Sequence, residues 1–173
     1  MERALERRIR GLLAFVVCGL IVSGLTAIPI ESELHWLMRI LGAGPDARAG
    51  DYSGIMNWLP TVREAVSATG RQYPFLFYGT DWLAFAHFAI AFAFLGPLRD
   101  PVRNSWVVTF GLVASAGVIV WAMAAGWARN IPLSWRVVDS LFGIGAGVPL
   151  LMCQRYIRRL EQLRSGGAMS SYG

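Results

Sequence analysis

His87 and Asp139 each interrupt an apolar run of this 173-residue chain, in Trp82-Leu83-Ala84-Phe85-Ala86-His87-Phe88 and Trp135-Arg136-Val137-Val138-Asp139. An imidazole and a carboxylate are groups that hold zinc or iron, bind a polar ligand or exchange a proton. Inside a membrane span an ionisable side chain costs about 2.5–3.5 kcal/mol at the helix centre, so each one needs a reason to be there. Arg136 stands one turn before Asp139, and Asp81 precedes His87 by six residues. Glu31, Glu33 and His35 follow the first apolar run. The candidate ligand-binding set is therefore His87, Asp139, Arg136, Asp81, His35 and Glu33, with His87 and Asp139 as candidate metal ligands.

Each of these residues also has a purely structural reading. His87 and Asp139 can act as interhelical hydrogen-bonding groups, with Arg136 neutralising Asp139. His35 suits an interfacial position on an amphipathic helix, and Glu31 and Glu33 suit a helix first turn. No H-x-x-x-H, C-x-x-C or E-x-x-H spacing occurs, so any metal site must be assembled from separate elements. His35 and His87 are the only bis-histidine pair available to a haem, and they would require the loop carrying His35 to fold over the bundle. No phosphate loop or nucleophile elbow is present, so the balance leans away from an enzyme.

Composition says what must position these groups. Apolar residues make up 55% of the chain and charged residues 16%, where soluble domains carry about 25% charged residues. Mean hydropathy is +0.46. These values point to a small membrane protein and away from a soluble enzyme. All sixteen basic residues are arginine, clustered beside apolar runs as topology determinants rather than along a nucleic-acid-binding face. Cys18 and Cys153 have no partner spacing, which argues against a disulfide framework.

Four apolar segments are long enough to be spans, at about 9–28, 82–96, 105–127 and 133–156. Only helices or closed barrels satisfy backbone groups in lipid, and barrel alternation is absent. The expected fold is an all-α, four-helix transmembrane bundle forming a single domain over 1–164, with a flexible tail over 165–173. The first run is longer than a signal core and lacks a small-x-small cleavage site, because Leu25 lies third before the Ala27–Ile28 bond. It reads as an anchor.

Arg3, Arg7, Arg8, Arg10, Arg99, Arg103, Arg155, Arg158, Arg159 and Arg164 fall on one side of such a bundle. By the positive-inside rule that side is cytoplasmic, with both termini. On the other side lies a long loop, 31–81, expected to be partly helical. Leu34, Leu37, Met38 and Leu41 recur at helical spacing, and Pro60 and Gly70 mark the expected start and stop of a second short helix. The aromatic run Tyr73, Phe75, Phe77 and Tyr78 suits the headgroup region and suggests a lid. Gly96-Pro97 reads as the end of the second span, and Asn104 as the cap of the third.

Within the spans, Gly19 and Ser23, Gly111 and Ser115, and Gly143, Ala146 and Gly147 mark close-packing faces. Asp139 shares a stripe with Trp135, Gly143 and Ala146, and His87 with Ala84, Ala91 and Phe94. At 1.5 Å per residue they lie about 8 Å and about 9 Å from the outer end, so the two are expected to meet there. That implies a site for a metal, haem or small polar ligand. The alternative is an accessory subunit docking on a larger membrane complex through its small-residue seams.

Four strings stand out, Ala27-Ile28-Pro29-Ile30-Glu31-Ser32-Glu33-Leu34-His35, Gly79-Thr80-Asp81-Trp82-Leu83-Ala84-Phe85-Ala86-His87-Phe88, Gly96-Pro97-Leu98-Arg99-Asp100-Pro101 and Trp135-Arg136-Val137-Val138-Asp139, and the likeness they carry covers most of the chain outside 42–72 and the last ten residues. Together they resemble an uncharacterised family of small bacterial integral membrane proteins with four predicted spans. The resemblance implies the same architecture and a bacterial inner-membrane setting, and it brings no activity, cofactor or partner with it.

Overall fold

The computed structural model describes residues 2–44, 46–48 and 50–170, and no strand occurs among them. Seven helices follow in order: α1 Glu2–Ala27, α2 Ile30–Ile40, α3 Ile55–Gln72, α4 Tyr78–Ala93, α5 Leu95–Arg99, α6 Ser105–Ala128 and α7 Leu133–Ser170, with a 3-10 turn at Pro74–Phe77 before α4. Four helical segments are long and apolar enough to cross a membrane: Glu2–Ala27, Pro74–Arg99, Ser105–Ala128 and Leu133–Ser165. The protein is an all-helical, multi-pass membrane protein.

The sequence places the spans well and their ends less well. The second span starts earlier than Trp82, because the 3-10 turn and α4 form one helical segment from Pro74. It also does not stop at Gly96-Pro97. Pro97 is buried in the first turn of α5, where a missing N–H leaves no helical bond unmade. Asn104 precedes α6 as expected but makes no side-chain cap; its Nδ2 donates to the Gly96 and Asp100 carbonyls at 3.2 and 3.0 Å and ties down the turn. Pro60 lies within α3 rather than at its start. Gly54, at φ 63°, supplies the left-handed entry to α3 five residues sooner. α7 continues as helix through Ser170, well past Tyr156, and an Arg164–Glu6 ion pair of 2.9 Å ties it to α1. Of the expected flexible tail, 171–173 lie outside the described residues.

Helix α1 is the central element. Both α4 and α7 pack along it rather than along each other, and α6 packs along α7. The α6–α7 pair is antiparallel through the turn at Arg129–Pro132, where Asn130 takes φ 55°. Small residues set this seam, with Gly143 against Ser115 and Ile119, and Gly147 against Ser115. The expected small-residue face of α1 is shifted. A Cβ on Gly19 would meet nothing within 4 Å, whereas Gly24 is the point of close approach, under the Phe88 ring and the Ala84 carbonyl of α4.

Two separate cores result. One joins Ile9, Leu13 and Val16 of α1, Phe94 at the end of α4, Val107 and Val108 of α6, and Leu150, Cys153, Ile157 and Leu160 of α7. The other is the core of a separate lobe, where Leu34 and Met38 of α2 meet Ala43, Ala47 and Leu59. Arg63 Nη2 donates to the Ala47 carbonyl at 2.6 Å, and Ser67 Oγ donates to Glu31 Oε1 at 2.5 Å, closing α3 onto the loop and onto α2. Trp135, at the start of α7, packs against this second core and so seats the lobe on the bundle.

Candidate functional site

The level of His87 and Asp139 falls between these two cores. His87 is half-buried on the α4 face that carries buried Ala84, Ala91 and Phe94, the inward stripe expected from the sequence. Its Nδ1 donates to the Leu83 carbonyl one turn earlier at 2.8 Å, which leaves Nε2 as the free ring nitrogen. Asp139 is also half-buried, on the stripe of Trp135 and Ala146. Among the described residues it makes no hydrogen bond and no ion pair.

The two groups are not joined to each other. Both lie on inward stripes, and α4 and α7 each pack along α1. The expected meeting of imidazole and carboxylate makes no hydrogen bond or ion pair among the described residues.

Arg136 also departs from expectation. It does not neutralise Asp139. Its stem lies against Gly126 of α6, where any Cβ would collide with Arg136 Cγ and Cδ, and its Nη1 donates to the Met123 carbonyl at 3.5 Å. The guanidinium thus sits at the C-terminal end of α6, where the helix dipole favours a cation. Ser140 Oγ donates to the Arg136 carbonyl at 2.9 Å, one turn along the same face. Arg136 Nε is buried without a partner. A half-satisfied buried cation contributes little to folding, so Arg136→Met is expected to change stability by less than about 1 kcal/mol, or to raise it. Thermal unfolding in detergent measures this; a loss above about 3 kcal/mol would show that the guanidinium holds the hairpin together.

The remaining candidates are dispersed. Glu33 and His35 are exposed on α2, and Glu31 is bonded to Ser67. Asp81 is exposed in the first turn of α4, where no side-chain cap forms; neighbouring Thr80 donates its hydroxyl to the Phe77 carbonyl at 2.7 Å. No group of three or more His, Cys, Asp or Glu side chains able to hold a metal is gathered among the described residues. His35 and His87 lie on α2 and α4, and these helices share no packed face of the kind each makes with its own neighbour. Cys18 is exposed and Cys153 buried, both as free thiols.

Two features of this region escaped the sequence. Trp135 shows in the sequence only as a member of the Asp139 stripe, yet it packs against the core of the lobe and so joins it to the bundle. Gly126 carries no spacing signal, yet it makes the room that Arg136 fills. No protein-family model, curated protein or solved structure matches the chain.

Proposed function

We propose that this chain is an accessory subunit of a bacterial inner membrane, with both termini cytoplasmic, which docks on a larger membrane assembly through Asp139. One observation carries this reading. Asp139 is an ionisable side chain within a span, partly withdrawn from solvent, and no group among the described residues gives it a hydrogen bond or an ion pair. Such a residue is expensive unless paired, and a donor or cation from a neighbouring membrane chain would complete it. Arg136, one turn away on the same helix, donates to the Met123 carbonyl instead, and His87 Nδ1 bonds the Leu83 carbonyl of its own helix. The orientation rests on the arginines that crowd the ends of α1 and α7, which lie together as the Glu6–Arg164 pair requires.

A second reading is favoured by the seat that Trp135 gives the outer lobe, four residues from Asp139. There the lobe covers a small polar or metal ligand held by Asp139, with His87 Nε2 as a second contact supplied on closure. Cross-linking in native membranes separates the two. Docking predicts a reproducible adduct with one membrane protein, reduced about tenfold in Asp139→Leu while the amount of folded protein is unchanged. Recovery of the monomer alone counts against it. Metal content and visible absorption of the purified protein test the ligand reading, which is dismissed if His87→Ala and Asp139→Leu match the wild type and all are empty.

A further inference from the structure

We infer that the cleft between the first turns of α1 and the last turns of α7 binds the phosphodiester headgroup of an anionic membrane lipid, clamped by Arg8 and Arg159. The cleft has a volume of about 500 Å³ and is lined by Ala4, Leu5 and Arg8 of α1 and Arg159, Gln162 and Leu163 of α7. Its composition is that of a site for an amphiphile. Leu5 and Leu163 are half-buried and form an apolar wall, while the two arginines, one from each helix, stand exposed at its rim.

The height of the cleft also fits. Arg8 immediately precedes Ile9, which is fully buried in the core, and after Arg10 helix α1 carries no further charge. Ala4 lies five residues before Ile9, about 7 Å along the helix, so the cleft spans the headgroup layer.

Charge favours an anion at this place. Arg3, Arg7, Arg8, Arg10, Arg155, Arg158, Arg159 and Arg164 face only Glu2, Glu6 and Glu161 on these two helix ends. One ion pair forms among the described residues, between Arg164 and Glu6, which leaves Arg8 and Arg159 without a carboxylate. The Arg8 guanidinium is held instead 6.0 Å from the centroid of the Tyr156 ring of α7, a contact that fixes its position and keeps its donors free. Two planar guanidinium forks on facing helices suit the non-bridging oxygens of a phosphodiester, and the Gln162 amide adds a donor. Juxtamembrane arginine clusters and basic pockets between spans take anionic headgroups in this way. A free phosphate would use the arginines and leave the leucine wall without a role.

Native mass spectrometry of the full chain in detergent, titrated with phosphatidylglycerol or phosphatidylcholine, tests the assignment. Phosphatidylglycerol is expected to bind at least about tenfold more tightly than phosphatidylcholine. Arg8→Gln with Arg159→Gln should remove that preference, while Arg99→Gln with Arg103→Gln, an equal loss of charge at the exposed end of α5 and the turn after it, should keep it within about twofold. The lysine pair Arg8→Lys with Arg159→Lys holds the charge, guards against misfolding and should lose affinity part-way, because the fork is gone. Equal losses in the two glutamine pairs would reduce the effect to a general basic field and overturn the proposal. So would displacement of the lipid by millimolar inorganic phosphate, which would assign the cleft to the free anion.

Discussion

Gly143→Val is expected to disrupt the α6–α7 seam and destabilise the protein by about 3 kcal/mol or more. A Cβ at this position would stand 2.5 Å from the Ser115 backbone oxygen and 2.9 Å from Ile119 Cγ1. The Ile119 side chain can turn away, but a backbone carbonyl inside a helix cannot move without shifting α6. The two helices would have to separate along the length that now holds Gly126 against Arg136 and Gly111 against Leu150. Gly145→Val, two residues along the same helix, meets nothing within 4 Å and serves as the control. Thermal or denaturant unfolding in one detergent should separate the variants clearly. Equal stabilities would mean that the helices do not approach at Gly143.

Phe94→Ala should cost about 3–5 kcal/mol, the largest effect of a truncation in the bundle. Phe94 is 1% exposed and stands where α4 ends, with its ring tip against Gly111 of α6 and beside Leu150 of α7. Its removal leaves a cavity between elements that do not otherwise pack along one another. The same geometry predicts coupling. Gly111→Ala places a Cβ 2.7 Å from Phe94 Cζ and 2.9 Å from Leu150 Cδ1, so it should be costly alone and less so once Phe94 is shortened to Leu. A double-mutant cycle measured by unfolding should give a coupling of about 1 kcal/mol; strict additivity would place the ring elsewhere.

Sequence reading was strongest where apolar length alone decides. The 105–127 span matches α6 to within one residue, and the 9–28 and 133–156 spans each share one end, to within one residue, with α1 and α7, because few alternatives satisfy about 20 apolar residues in lipid. It was weakest where tertiary context overrides punctuation. Pro97 and Pro60 look like boundaries, yet one sits in a first turn, where its ring is harmless, and the other is buried within α3. The inward stripe of His87 was legible because Ala84, Ala91 and Phe94 repeat at helical spacing, and all three are buried. The partner of each polar group was not legible. Pairing depends on the order of helices around α1, and hydropathy does not encode that order. Arg136 illustrates the same gap: three residues from an aspartate on its own helix, it goes instead to a glycine-made hollow on the neighbouring one.

The central position of α1 has a consequence for how the molecule comes together during synthesis. The α6–α7 hairpin joins neighbours in the chain and can associate as soon as both have entered the bilayer. The α1–α7 seam closes over 158 residues, the separation of Glu6 from Arg164. The first helix made must therefore wait for the last, with Ile9 and Leu13 facing lipid in the interval. A translation pause or a truncation before Leu133 would leave that surface open to whatever other helices are nearby.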